Sequence, residues 1–236
     1  MADPYFSNVS LLLHMDGSDG STTFTDVIGN TMTRVGSPVI ATAQSVFGGA
    51  SGDFRNASWG LTTPGSAAFD PGTGDFTFEC WLYAGSFSNF EHILDTGSQR
   101  IACCFNSSGT GLNLYLNGGL IIAGSAHGMT AGNWYYLAWK RGSGTASIHI
   151  GTSGSTTQLG SASNSTNIGA STTVNIARYS GGSYGINTYL EEVRFTKGVA
   201  RDVSTVPTSA FPDSGDPITY VHRIMGHRIP QLLVRN

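Results

Sequence analysis

Charge is scarce in this chain: Asp, Glu, Lys and Arg make up 11% of its 236 residues, where soluble domains carry about 25%. Lysine is represented by Lys140 and Lys197 alone. With no continuous basic stripe, nucleic acid is excluded as an expected partner. Cysteine is equally sparse. Cys80, Cys103 and Cys104 are odd in number and sit on strand-like segments, which suits neither a disulfide framework nor a zinc site with paired ligand spacing. Buried, reduced thiols are expected. Long hydrophobic runs are missing. Leu11-Leu12-Leu13 is too short and lacks the basic flank of a secretory signal, and no stretch reaches the length of a membrane span. The Asn-x-Ser/Thr triplets at Asn8, Asn56, Asn106 and Asn164 then read as chance in a Ser/Thr-rich chain. No apolar pattern of helical period persists for three turns, which excludes a helical fold.

Glycine, by contrast, is plentiful, with 32 residues. Few charges and many tight turns suit short strands. The block Gly74 to Tyr83 alternates: Phe76, Phe78, Cys80 and Leu82 share one side, and Thr77, Glu79, Trp81 and Tyr83 the other. A strand sends successive side chains to opposite faces, so one face is greasy and one polar-aromatic. Trp134 to Lys140 alternates similarly, with Tyr135, Leu137 and Trp139 on one side, and Asn117-Gly118-Gly119 signals a hairpin. Further strands are expected near 9–14, 31–35, 46–54, 57–61, 90–95, 99–105, 112–116, 119–123, 145–150 and 189–196, with one helical turn at 197–203. Between Gly142 and Ala177 there is no charged residue, yet Ile148, Ile150, Leu159, Ile168, Val174 and Ile176 argue for strands there. Short strands with glycine turns imply an all-β sandwich of two antiparallel sheets, closed as a jelly roll to protect its edges.

Two segments are expected: a sandwich over 1–212 and a C-terminal arm over 213–236. The arm carries Arg223 and Arg228 beside Leu232 and Leu233. Apolar residues at that density call for a contact, so a docking segment is expected, with a flexible end as the alternative.

Several segments follow one another in a known order: Leu11 to Gly17, Phe47-Gly48-Gly49-Ala50-Ser51, Gly74 to Trp81, Asn133 to Ala138, and Leu190 to Arg201 with its Lys-Gly-Val-Ala-Arg ending. Together, over about residues 5–212, they resemble the laminin G-like, concanavalin A-like lectin/glucanase domains of bacteriophage virion proteins. The resemblance implies a concanavalin A-like sandwich with a non-catalytic structural or adhesive role in the virion, sometimes with bound calcium. It also implies virion proteins of capsid or tail as partners, assembly in the host cytoplasm, and a homo-oligomer.

The acids do not read as a glycosidase pair. Glu79 stands alone on its strand, and Glu191 and Glu192 are adjacent and so diverge, whereas such enzymes need two carboxylates facing one bond. No Gly-x-Ser-x-Gly elbow occurs either, so no catalytic residue is expected. Calcium takes carboxylate and carbonyl oxygens. The resemblance pairs the first and late strands, which makes Asp16, Asp19, Glu191 and Glu192 candidate ligands, with turn and capping roles as the alternative. A sugar ring stacks on Trp or Tyr while nearby polar groups take its hydroxyls. Glu79, Trp81 and Tyr83, with Tyr179 and Tyr184 around the Ser180–Gly185 loop, are the candidates for a carbohydrate or partner face, packing between sheets being the alternative. The leading expectation is a capsid-decoration or similar virion surface protein. A glycan-binding adhesin is the second.

Overall fold

β-Branched and aromatic residues two apart, interrupted by glycine turns, favour pleated strands over helices. The computed structural model follows that pattern; it describes residues 2–215 except 57, 88 and 183. In chain order the strands are β1 (Val9–Leu13), β2 (Thr33–Val35), β3 (Val39–Ala41), β4 (Ser51–Asp53), β5 (Gly60–Pro64), β6 (Phe76–Tyr83), β7 (His92–Asp95) and β8 (Ile101–Phe105). There follow β9 (Leu112–Leu116), β10 (Gly119–Ile122), β11 (Trp134–Gly142), β12 (Thr145–Gly151), β13 (Thr157–Ser163), β14 (Thr173–Ile176) and β15 (Tyr189–Lys197). Among the described residues no helix is long and apolar enough to cross a membrane.

The strands form two antiparallel sheets. The first runs β13-β12-β11-β6-β15-β4-β3, with β1 also on β15, and the second β10-β9-β8-β7-β14-β5-β2. β15 pairs with β6 along one edge; along the other it meets β1 through Val193–Thr196 and β4 through Tyr189 and Leu190. A register shift between Glu191 and Arg194 separates the two pairings. β9 and β10 make the expected hairpin, with Leu116 opposite Gly119.

The greasy side of β6 (Phe76, Phe78, Cys80 and Leu82) is buried with Leu137, Trp139 and Phe195 against Cys103, Phe105, Leu114 and Ile176 of the second sheet. Each such side chain contributes about 1.5–3 kcal/mol by leaving water. Trp139 Nε1 crosses the layer to donate to the Asn113 carbonyl at 3.1 Å. All three cysteines are free and buried. Burial pushes the Cys104 thiol up to about 12, so thiolate chemistry is suppressed.

The polar-aromatic side of β6 is not an open face. A second apolar cluster lies on it, made by Trp81, Tyr136 and Leu12 with Val203, Val206 and Phe211 from the chain that follows β15. Beside it sits a buried set of charges. Glu79 accepts from Arg194 Nη2 at 2.8 Å and from the Tyr136 hydroxyl at 2.5 Å. Asp3 accepts from Arg201 Nη1 at 3.0 Å and Nη2 at 2.7 Å, and from Arg194 Nη1 at 3.3 Å. Arg194 lies 3.6 Å over the Phe211 ring. These contacts hold both flanking segments of the chain on the first sheet.

The same contacts correct the helical turn expected at 197–203. That segment is irregular beyond Lys197. The Arg201 amide donates to Thr77 Oγ1 at 2.9 Å and its guanidinium reaches Thr196 and Asp3, so the chain is drawn flat across the sheet. Residues 213–215 still touch the sandwich: the Asp3 amide donates to the Ser214 carbonyl at 3.0 Å. The rest of the expected arm, including Arg223, Arg228, Leu232 and Leu233, lies outside the described residues.

Removing one member of a buried charge pair strands its partner, at a cost of about 3–5 kcal/mol. Arg194→Ala is therefore expected to lower the urea midpoint sharply. A loss below about 1 kcal/mol, typical of exposed pairs, would show that the cluster does not hold the outer layer.

Candidate functional site

The irregularity in β15 decides where the late acids go. Glu192 adopts a left-handed backbone (φ 51°), and neither acid faces solvent. Glu191 accepts the amides of Val46 and Phe47, each at 2.5 Å. Glu192 accepts the Phe211 amide at 2.6 Å and His14 Nδ1 at 2.5 Å, while His14 Nε2 reaches Asp213 at 2.6 Å. The hydrogen bond to Glu192, aided by both carboxylates' charges, outweighs burial and lifts His14 to about 9. Burial lifts Glu191 to about 8, against its two amide donors and with the added repulsion of Glu192 and Asp16.

The calcium expectation is corrected by this arrangement. Calcium takes roughly six to eight oxygens turned toward one point. Here the two glutamates turn their oxygens to N–H donors, and Asp19 accepts the Thr42 amide at 3.0 Å. Asp16 is exposed, its carboxylate seated over Gly48, where any side chain would collide with it. Among the described residues no group of three or more His, Cys, Asp or Glu side chains is arranged to hold a metal ion. The residues present do not fit the ion. Asp26, the remaining early acid, caps its own turn by accepting from the Leu12 and Asn30 amides.

The five residues expected on one ligand face are divided between the sheets. Glu79 is 2% exposed and Trp81 4%. The indole packs edge-on to Phe47 and against Tyr136, so it offers no ring to a sugar. Tyr83 is half-buried between Trp134 and Tyr189. The placement expected of Glu79 and Trp81 is thus corrected: their side of the sheet is covered by the chain's own flanking segments. What the sequence reading missed were those covers, Val203, Val206 and Phe211, and the partners of Glu79. Part of the signal was present, since a carboxylate on an otherwise apolar strand needs a cation, but the choice of Arg194 over Arg141 of the neighbouring β11 follows only from the pairing of β15 with β6.

Tyr179 and Tyr184 do come together, at one end of the second sheet. Their ring centroids are 6.3 Å apart, and Tyr179 packs on His92 at 4.9 Å. A β-carbon at Gly181 would sit 2.4 Å from the Tyr179 ring, so glycine there lets the ring lie on the loop. Tyr184 is 40% exposed although its backbone is left-handed (φ 68°). That conformation is costly for an aromatic residue; the His92 amide, donating to the Tyr184 carbonyl at 2.7 Å, fixes it. The loop is also anchored by Asp95, which accepts the Ser180 amide at 2.8 Å. His92 itself is held below its ordinary pKa, chiefly by burial, and stays neutral near pH 7.

No family model and no curated protein sequence matches this chain. Solved structures share its fold. The binding domain of Paraclostridial Mosquitocidal Protein 1 superposes with a TM-score of 0.62 at 10% identity, over 84% of this chain and 50% of that one. The binding domain of botulinum neurotoxin DC, in complex with rat synaptotagmin II, gives 0.56 at 11% identity, over 83% and 50%. This chain thus spans about half the length of the toxin binding-domain chains. Domain 4 of AbnA, a GH43 extracellular arabinanase from Geobacillus stearothermophilus in complex with arabinotriose, gives 0.56 at 12% identity, over 86% and 96%. At such identities the likeness is one of fold, and that fold is the expected two-sheet sandwich.

The buried acids make stability depend on pH. His14 gains its partners on folding, so its contribution is complete below 6.5 and is lost as pH rises through about 9. Glu191 acts in the same direction. Its value rises from 4.5 to about 8 on folding, so its ionisation weakens the fold between those values. The urea midpoint should fall steadily from about pH 5 to pH 9, with Glu191→Gln flattening the lower part of the decline. A midpoint that stays level across this range would contradict both assignments.

Proposed function

We propose that this chain is a non-catalytic recognition module that binds carbohydrate at the Tyr179–Tyr184 end of its second sheet, and that it is displayed on a bacteriophage particle. One observation carries the binding site: an exposed tyrosine held in an unfavourable backbone conformation beside a second tyrosine seated on a histidine. Strain of this kind persists where the surroundings over-determine it and gathers at ligand sites. A pair of aromatic rings, one partly open, suits the CH face of a pyranose. The arabinotriose bound by a similar sandwich supports a saccharide as the ligand class. A protein receptor, as in the synaptotagmin complex, is the competing ligand.

Absence of catalysis is supported by the fate of Glu79. Its oxygens are engaged by Arg194 and Tyr136, which leaves no free acid to protonate a leaving group on that strand. Placement on a phage particle, as capsid decoration or on the tail, rests on the ordered sequence segments that end in Leu190 to Arg201. Residues 216–236 would then supply the attachment, with oligomerisation at the particle surface.

Two measurements test these readings. On a broad glycan array the protein should be retained, and Tyr184→Ala should weaken binding roughly tenfold, the loss of one stacked ring and its desolvation. An array without hits would overturn the carbohydrate reading. For the particle reading, the full chain should co-purify with virions. Deletion of 216–236 should abolish that while leaving the sandwich folded, since the ties through Asp213 and Ser214 remain. Undiminished occupancy after the deletion would remove the attachment role.

A further inference from the structure

One arginine on the second sheet is placed unlike the buried pair on the first. Val174 and Ile176 of β14 point into the core, so Asn175 between them points outward, opposite Asp95 of β7 and Thr62 of β5. Asn175 is 2% exposed because Arg178 and its loop lie over it. Both ends of its amide are used: Nδ2 donates to the Asp95 carbonyl at 3.2 Å, and Oδ1 accepts from Arg178 Nη1 at 3.1 Å. The Arg178 stem lies flat on the sheet, since a β-carbon at Gly60 would stand 2.6 Å from its Cδ. The guanidinium is therefore fixed by a buried amide below and by a glycine track beside it, next in sequence to the Tyr179 ring.

Among the described residues Arg178 forms no ion pair, unlike Arg55, Arg194 and Arg201. Arg34, Arg100 and Arg141 also lack a carboxylate, but buried Arg141 is satisfied by the carbonyls of Gly72, Gly74 and Thr166, whereas Arg178 has its hydrogen bond to Asn175. Asp95, on the same face, turns one oxygen to the Gln99 amide at 2.9 Å and the other to the Ser180 amide at 2.8 Å. Arg178 Nε is buried without a hydrogen-bond partner. A half-buried cation in this condition gives up hydration without direct compensation. Nε lies out of a ligand's reach and Nη1 is given to Asn175, so a ligand carboxylate would accept from Arg178 Nη2 and offset part of that cost by a charge-assisted hydrogen bond.

We infer that the saccharide taken by this site is acidic: a glycan whose sugar carries a carboxylate, as in a uronic acid, with the carboxylate on Arg178 and the ring against Tyr179 and Tyr184. A single oriented arginine beside two tyrosines suits one carboxylate attached to a pyranose, the charge meeting the guanidinium and the ring meeting the aromatic side chains. The inference deepens the carbohydrate reading and rests on it. Asn175 is a positioning residue, acting through Arg178.

The test compares wild-type protein on immobilised polygalacturonate, on the same polymer after chemical reduction of its carboxyl groups, and on neutral arabinan. Retention on polygalacturonate should exceed that on the reduced polymer roughly tenfold or more, the worth of a charge-assisted hydrogen bond, and should weaken with added salt. Arg178→Gln should abolish the preference while leaving the weaker binding to reduced polymer intact. Asn175→Ala should reduce it, with the melting temperature of each variant confirming its fold. Equal retention on charged and reduced polymers would overturn the acidic-sugar inference and leave the carbohydrate reading standing. No retention on any of the three, joined to an empty glycan array, would overturn both. The polymer comparison uses unmodified protein, so it decides the matter even if a variant fails to fold.

Discussion

The buried charges joining Asp3, Arg194, Glu79 and Arg201 determine what the rest of the molecule can offer. A two-sheet sandwich begins with two outer faces, and either could bind. Here one acid projects from the outer side of β6 and another from the segment before β1, while the two arginines come from β15 and the stretch beyond it. Desolvated charges of this kind hold only when every member is satisfied. The segments that carry them must lie on the sheet, and they bring Val203, Val206 and Phe211 with them as a second apolar layer. The first sheet is thereby covered around β6 and β15, which leaves the second sheet as the place for the proposed site.

The recess left over this cluster shows the consequence. It measures about 280 Å³ and is lined by Glu79, Tyr136, Arg194, Arg201 and Phe211. Its charged groups face one another, so an entering ligand would have to break existing pairs before making its own. At the Tyr179–Tyr184 end of the second sheet, Arg178 meets no carboxylate among the described residues and Tyr184 is 40% exposed. The contrast between paired and unpaired charge distinguishes the two regions, although buried indole nitrogens without a partner, Trp81 Nε1 and Trp134 Nε1, occur on the first sheet as well.

Much of the architecture was legible because it rests on period and turn chemistry. Phe76, Phe78, Cys80 and Leu82 specify their buried face by alternation alone, and Asn117-Gly118 specifies its hairpin locally. Ile148, Ile150 and Val174 likewise showed that the uncharged Ser/Thr-rich stretch is built into the sheets. What alternation cannot say is whether the other face of a strand meets water or more protein. For Thr77, Glu79 and Trp81 the answer depends on residues more than a hundred positions away, such as Arg194 and Phe211. Strand β3, three residues directly after Pro38, was not among the expected strands, although β2 and β4 are equally short and lay within expected ones. The grouping of Tyr179 with Tyr184 was visible as proximity along one loop, but Arg178 was not singled out. Its significance comes from Asn175 beneath it and from the carboxylates it fails to meet, and neither is a property of local sequence.

The site joins a rigid half to an adaptable one. Asn175 is set by strand register, since β14 is hydrogen-bonded on both sides, to β5 and β7, and Arg178, just past the strand's end, is tied to it through Asn175 Oδ1. Tyr184 stands on a loop, yet its backbone is tied to the His92 amide and, through Ser180, to Asp95. Both ties end on β7. A ligand that settles on the tyrosines therefore meets an arginine whose position relative to them is fixed through neighbouring strands, not through a long flexible linker. Under the proposed reading, little conformational freedom would be lost on binding at the charged end, while the exposed ring could still adjust to a ligand. Selectivity in such an arrangement would follow from the distance between a charge and a ring plane, which depends on how the loop between β14 and β15 is tied to β7.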